Sequence, residues 1–140
     1  MQLFSKTMKG SYTLILELKK DKEIQIGKLG KIIFRKGFYV YVGSALGGLE
    51  SRISRHLRNS KKIHWHIDYL LEHSKIIDIF YTENDFKEEC NLAKKFEEKL
   101  LPIPHFGCSD CDCDSHLFFG DIFDIESIIK NFDMRKYHFK

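Results

Sequence analysis

Three groups of side chains in this sequence have the types and spacing to do chemistry. The first is Arg52 and His56, four residues apart in a segment of helical period, residues 49–59. Leu49, Ile53 and Leu57 define the buried face of that segment. At about 100° per residue, Arg52 and His56 fall on one edge of the face, while Arg55 and Arg58 point outward. Arginine suits phosphate because its planar fork matches two oxygens. A surface helix with scattered arginines is the plainer reading. The second group sits on a longer helical pattern, residues 85–101, where Phe86, Cys90, Ala93, Phe96 and Leu100 form an apolar stripe. Glu89 falls inside the arc of that stripe and Glu88 on the solvent side. A carboxylate at a buried helix edge is costly unless it is paired, protonated or bound to a cation. Glu89 is therefore a candidate cation ligand, with a salt bridge at the stripe's edge as the alternative. Glu97 shares the arc two turns further on.

The third group is Cys108, Cys111, Cys113 and His116, four soft ligands in one loop, with His105 beside them. Tetrahedral zinc favours sulfur and nitrogen donors. Four ligands crowded into one short loop are hard to close around an ion, so packed thiols and a redox role stand beside zinc as readings. Cys111 and Cys113 are too close for an ordinary bridge. With no secretion signal, the cysteines read as metal ligands or thiols rather than as a disulfide framework. His64 and His66, two apart, do not share a helix face and would not chelate together. His66 and Lys62 are candidate nucleic-acid contacts, with capping or packing as the alternative.

These residues need elements to hold them. Residues 12–18 are β-rich and apolar and read as a buried strand. Residues 24–26 and 31–34 flank Gly27-Lys28-Leu29-Gly30 and read as a hairpin. Residues 37–43 form a strand ended by glycine, and Gly43, Gly47 and Gly48 let the backbone that follows approach something closely. Helices are expected over 49–59 and 65–71, a strand over 76–81, and the long helix over 85–101, stopped by Pro102 and Pro104. A Cys/Asp-rich loop follows at 105–116, then a short strand at 116–119. Asp124 is positioned to cap a last helix running through Ile129. The order is a mixed α/β (α+β) pattern around one antiparallel sheet.

The 140 residues suit a single domain, 43% hydrophobic and 14% aromatic, which excludes a disordered chain. No apolar run is long enough to span a membrane and no secretory h-region opens the sequence, so a cytoplasmic protein is expected. Charge is unevenly spread. Residues 1–75 hold fifteen Lys and Arg against six Asp and Glu, a net +9, whereas residues 76–140 carry a net −6. A front half of that sign attracts a polyanion, unless the lysines only solvate the surface.

Taken in order, Gly10-Ser11-Tyr12 opening the first strand, Tyr41-Val42-Gly43 ending a later one, Arg52 on the next helix and Glu89 on the long helix resemble the GIY-YIG nuclease superfamily. The stretches YVYVGSALGGLESRISRHLR, KKIHWHIDYLL and SDCDCDSHLFF, with Glu89-Cys90-Asn91-Leu92-Ala93, look most like its mainly archaeal branch. Members of that branch are sometimes fused to a base-excision-repair glycosylase of the endonuclease III type. The resemblance implies a small antiparallel sheet flanked by helices that cuts phosphodiester bonds with one divalent metal. It implies Tyr12 and Tyr41 side by side on adjacent strands, with Tyr12 helping to deprotonate water. Arg52 would stabilise charge on phosphorus, His56 would bond water or phosphate, and Glu89 would hold Mg²⁺ or Mn²⁺. The expected partner is nucleic acid, DNA by the family's habit, with no membrane and with a protein partner or separate targeting domain allowed. Two departures are visible. An extra hairpin at about 20–36 separates the two tripeptides, and Ser11 stands where isoleucine is usual. A second reading is an inactive nucleic-acid- or partner-binding module of the same fold, stabilised by zinc.

Overall fold

A computed structural model describes residues 8–84, 88–108 and 113–139. In chain order the elements are β1 (Gly10–Leu18), β2 (Lys22–Gln25), β3 (Lys31–Phe34), β4 (Gly37–Ala45), α1 (Leu49–Leu57), α2 (His66–Leu71) and β5 (Lys75–Glu83). They continue with α3 (Glu89–Glu97), β6 (Leu101–Pro102), β7 (Leu117–Gly120), α4 (Ile122–Asn131) and β8 (Arg135–Lys136). Six strands make one sheet in the order β6-β7-β4-β1-β5-β8, every ladder antiparallel. The extra hairpin, β2 with β3, pairs only with itself. The fold is thus mixed α+β, as the order of elements predicts. Among the described residues no helix is long and apolar enough to cross a membrane.

β1 is buried almost throughout and mostly apolar because it lies between β4 and β5 with both faces covered. Side chains alternate along it. Tyr12, Leu14, Leu16 and Leu18 face one core with Leu49 and Ile53 of α1, Ile67 and Leu70 of α2, and Ile24, Ile26 and Phe34 of the hairpin region. Ile15 faces a second core with Val40 and Val42 of β4, Leu92, Ala93 and Phe96 of α3, and Ile125, Ile128 and Ile129 of α4. Burying one such Leu, Ile or Phe contributes about 1.5–3 kcal/mol, so both layers are strongly held to the sheet. The extra hairpin covers part of the first core rather than being a surface ornament, with Phe34 fully buried.

Three sequence expectations change. The long helix is shorter than residues 85–101: α3 begins at Glu89, and residues 85–87, Phe86 with them, lie outside the described set. The last helix is capped by Asp121, not Asp124, with Asp121 Oδ1 accepting from the Phe123 N–H at 2.7 Å. The acid before the first turn wins because only it can reach back over the free N–H groups. The expectation against disulfides also fails: Cys90 in the first turn of α3 is bonded to Cys113, 23 residues on. Packing of α3 across β4 and β7 brings their Cα atoms to 5.7 Å, which spacing could not reveal.

Candidate active site

The β1–β4 register places Tyr12 opposite Gly43 and Leu14 opposite Tyr41. Both tyrosines therefore project from the same face, on adjacent strands, with ring centroids 6.5 Å apart. Gly43 is required locally. A Cβ there would sit 2.3 Å from the Tyr12 ring, so only glycine lets the phenol lie across β4. Ser11 alternates to the opposite face, away from the tyrosines.

Leu49 and Ile53 seat α1 over the same face, and this brings His56 down onto Tyr12. The Tyr12 hydroxyl and His56 Nε2 are 2.6 Å apart. His56 is 2% exposed, and burial pushes its imidazole down to about 3, against the opposing pull of Asp68. It is neutral at physiological pH. Burial pushes the Tyr12 and Tyr41 phenols upward, while the Arg52 guanidinium pulls both down and reaches Tyr12 by hydrogen bond as well as charge. Arg52 Nη1 also donates to the Ser44 carbonyl at 2.9 Å, and its Cζ stacks 4.5 Å from the centroid of Trp65. His56 Nδ1 is buried with no hydrogen-bond partner among the described residues. Such an orphan is uncommon in a settled core, because leaving a buried polar atom unsatisfied costs about 1–3 kcal/mol.

α1 and α3 pack on opposite faces of the sheet. Glu89, the first residue of α3, therefore starts from the face opposite Arg52 and His56 and makes no hydrogen bond or ion pair with them or with Tyr12 among the described residues. Its charge is felt by Tyr41 and by His116, whose Nδ1 lies 3.1 Å from the Val42 carbonyl. β7 pairs with β4 from Phe38 to Tyr41, and just beyond it the Val42 N–H donates to the His116 carbonyl at 2.9 Å. The half-buried Glu89 carboxylate has no salt-bridge or hydrogen-bond partner among the described residues, so the edge salt bridge is not made. A hard cation fits such a carboxylate better than nothing does. Glu97 instead lies beside Asp114.

The outward basic residues separate. Arg55 is not outward. Its Nη1 and Nη2 each donate to Asp68 at 2.9 Å, Nη2 also donates to the Lys62 carbonyl at 2.8 Å, and its Cζ lies 4.3 Å from Trp65. Asp68 is fully buried, and a buried carboxylate draws in whichever arginine the helix register offers, a demand that periodicity on α1 alone does not show. Arg58 and Lys62 are exposed. His66 Nδ1 accepts from the Gly107 N–H at 2.8 Å and its ring packs on Phe106, a positioning role. In the cysteine loop, Cys111 lies outside the described residues, and Cys113 is joined to Cys90, so the four-ligand loop set is not assembled as expected.

Trp65 and Asp68 were not legible as site residues. Trp65 reads as core from its size, yet it is the plate on which both arginines stack. Asp68 left one local signal: an acid three residues after the N-cap Trp65, where it accepts from the His64 and Trp65 N–H groups at 2.8 and 2.9 Å. The family model described as "Domain of unknown function DUF123" matches residues 11–136. No curated protein and no solved structure matches the chain.

Proposed function

We propose that this chain, which belongs to the DUF123 family, is a divalent-metal-dependent endonuclease of GIY-YIG type that hydrolyses phosphodiester bonds of DNA, in a repair setting. The observation that carries the reading is the Tyr12–His56 contact of 2.6 Å with Arg52 on the same phenol. A phenol titrates near ~10 in water and is a poor base at neutral pH unless its proton has somewhere to go. Here His56, kept neutral by burial, is a weak proton acceptor and serves to orient the phenol across the 2.6 Å contact. The oriented Tyr12 oxygen takes a proton from the attacking water as the phenol gives up its own, and that proton passes to the leaving oxygen. The bond from water oxygen to phosphorus forms as the bond to the leaving oxygen breaks. Arg52, held by Ser44 and Trp65, keeps further N–H donors for the phosphoryl oxygens. Glu89 would hold Mg²⁺ or Mn²⁺, which supplies Lewis-acid stabilisation to the phosphate.

One observation favours the second reading, a binding module without turnover. Tyr12 is only 1% exposed, and a base must meet its water. The experiment that decides is incubation of the chain with labelled flap, bubble, abasic and duplex DNAs, and RNA, in Mg²⁺ or Mn²⁺. Cleavage is expected, and Tyr12→Phe, Arg52→Gln and Glu89→Gln should each lower it by on the order of 100-fold or more while leaving the fold intact. If the folded chain binds DNA and cuts none of these, the binding module replaces the nuclease.

A further inference from the structure

We propose that the reduced chain binds one zinc ion through Cys90 Sγ, Cys113 Sγ and a ring nitrogen of His116. These three atoms lie within 4.8 Å of one another. Zinc with Zn–S near ~2.3 Å and Zn–N near ~2.0 Å sets ligand atoms about 3.5–4 Å apart, so after reduction the two sulfurs, bonded to each other here, part to that distance while His116 stays within reach. The set spans two separate segments, the first turn of α3 and the strand-entry residues before β7, rather than one short loop. Closing three bonds there strains no tight turn. Sulfur and imidazole are the donors that select zinc over Mg²⁺ or Ca²⁺.

His116 is oriented for the task. Its Nδ1 faces the Val42 carbonyl at 3.1 Å, and a carbonyl can only accept, so Nδ1 carries the proton. That tautomer leaves the lone pair on Nε2. A backbone carbonyl fixing one ring nitrogen while the other binds metal is the recurrent arrangement in zinc sites. His116 is buried at 6% exposure, and Cys90 and Cys113 are half-buried, so the ion would be shielded from competing hydration. The same two sulfurs form the disulfide when oxidised. Disulfide and metal are alternative ways to tie α3 to β7, and each excludes the other, because zinc needs thiolates. The site is chemically distinct from the oxygen donor Glu89 and does not depend on the nuclease reading.

The test uses the whole chain, reduced with a phosphine, stripped with a chelator and titrated with Co²⁺ under nitrogen, then with Zn²⁺. One equivalent of Co²⁺ should give a thiolate-to-cobalt charge-transfer band that Zn²⁺ displaces. Cys90→Ser, Cys113→Ser and His116→Asn should each weaken Co²⁺ binding at least tenfold, whereas Asp124→Ala, on the exposed side of α4, should keep the band. Because a cysteine variant can fail to fold, the wild-type chain is also footprinted: zinc should slow iodoacetamide alkylation of Cys90 and Cys113 at least tenfold, read by peptide mass. The proposal is overturned if the reduced wild-type chain shows no thiolate band, or if zinc leaves Cys90 reacting at its metal-free rate.

Discussion

Tyr12, His56 and Gly43 form the tightest residue-level unit, and each constrains the others. Replacing Gly43 with alanine drives a methyl into the Tyr12 ring, displacing the phenol from His56. Overpacking of this kind costs about 1–3 kcal/mol, so Gly43→Ala should lower the unfolding free energy by that amount, read in a denaturant melt. It should also abolish cleavage if the proposed relay is right. His56 gives a pH signature. The native imidazole stays neutral down to about pH 3, whereas the unfolded one titrates near ~6.5. Between those values the unfolded chain holds the extra proton. The contribution of His56 to stability is therefore complete above about pH 6.5 and is lost as pH falls, at up to ~1.4 kcal/mol per unit. Between pH 7.5 and pH 5 His56 alone should account for about 2 kcal/mol of lost stability in urea melts, and His56→Gln should remove that part while leaving the share of His66 and His116, whose imidazoles burial also lowers.

At the scale of elements, α1 and α2 are locked by one buried ion pair. Burial opposes charge on Asp68, but Arg55 and the N–H groups of Trp65 and His64 outweigh it and hold its carboxyl below the ordinary range. Removing one partner strands the other, so Asp68→Ala should cost about 3–5 kcal/mol. It should also release Arg55 from Trp65, raising the exposure of the indole and shifting its fluorescence to the red. That shift separates loss of the clamp from general loosening, because Trp65 is the only tryptophan in the chain. α4 supplies a milder case. Asp121→Ala removes its N-cap and should cost about 1 kcal/mol in a chemical melt, whereas Asp124→Ala should be close to neutral.

For the whole molecule, charge decides where a polyanion would settle. The net +9 lies in residues 1–75, but Arg55 is withdrawn into the clamp, so Arg58 and Lys62 are the exposed cations beside α1. Each phosphate neutralised releases counterion, so Arg58→Ala with Lys62→Ala should reduce the slope of log affinity against log salt by about 2. An unchanged slope in a filter-binding or anisotropy series would mean that the basic half is a solvated surface.

Some of this architecture is written in local sequence and some is not. The β-rich, mostly apolar runs at residues 12–18 and 37–43, and the 3.6-residue period from Leu49 to Leu57, suffice for the central strands and α1, because the strands are buried on both faces and the helix on one. The positions of Tyr12, Tyr41, Arg52 and His56 on strand and helix faces follow from the same periods. β6 and β8, two residues each, carry no such signal and exist only because a neighbouring strand offers hydrogen bonds. The inward turn of Arg55, the disulfide from Cys90 to Cys113 and the approach of Glu89 to the end of β4 likewise depend on partners 13 to 48 positions away. Local pattern reports which face a side chain takes. Which charge, sulfur or carbonyl waits on that face is decided when the layers close, since burial makes an unpaired group costly only once its neighbours have excluded water.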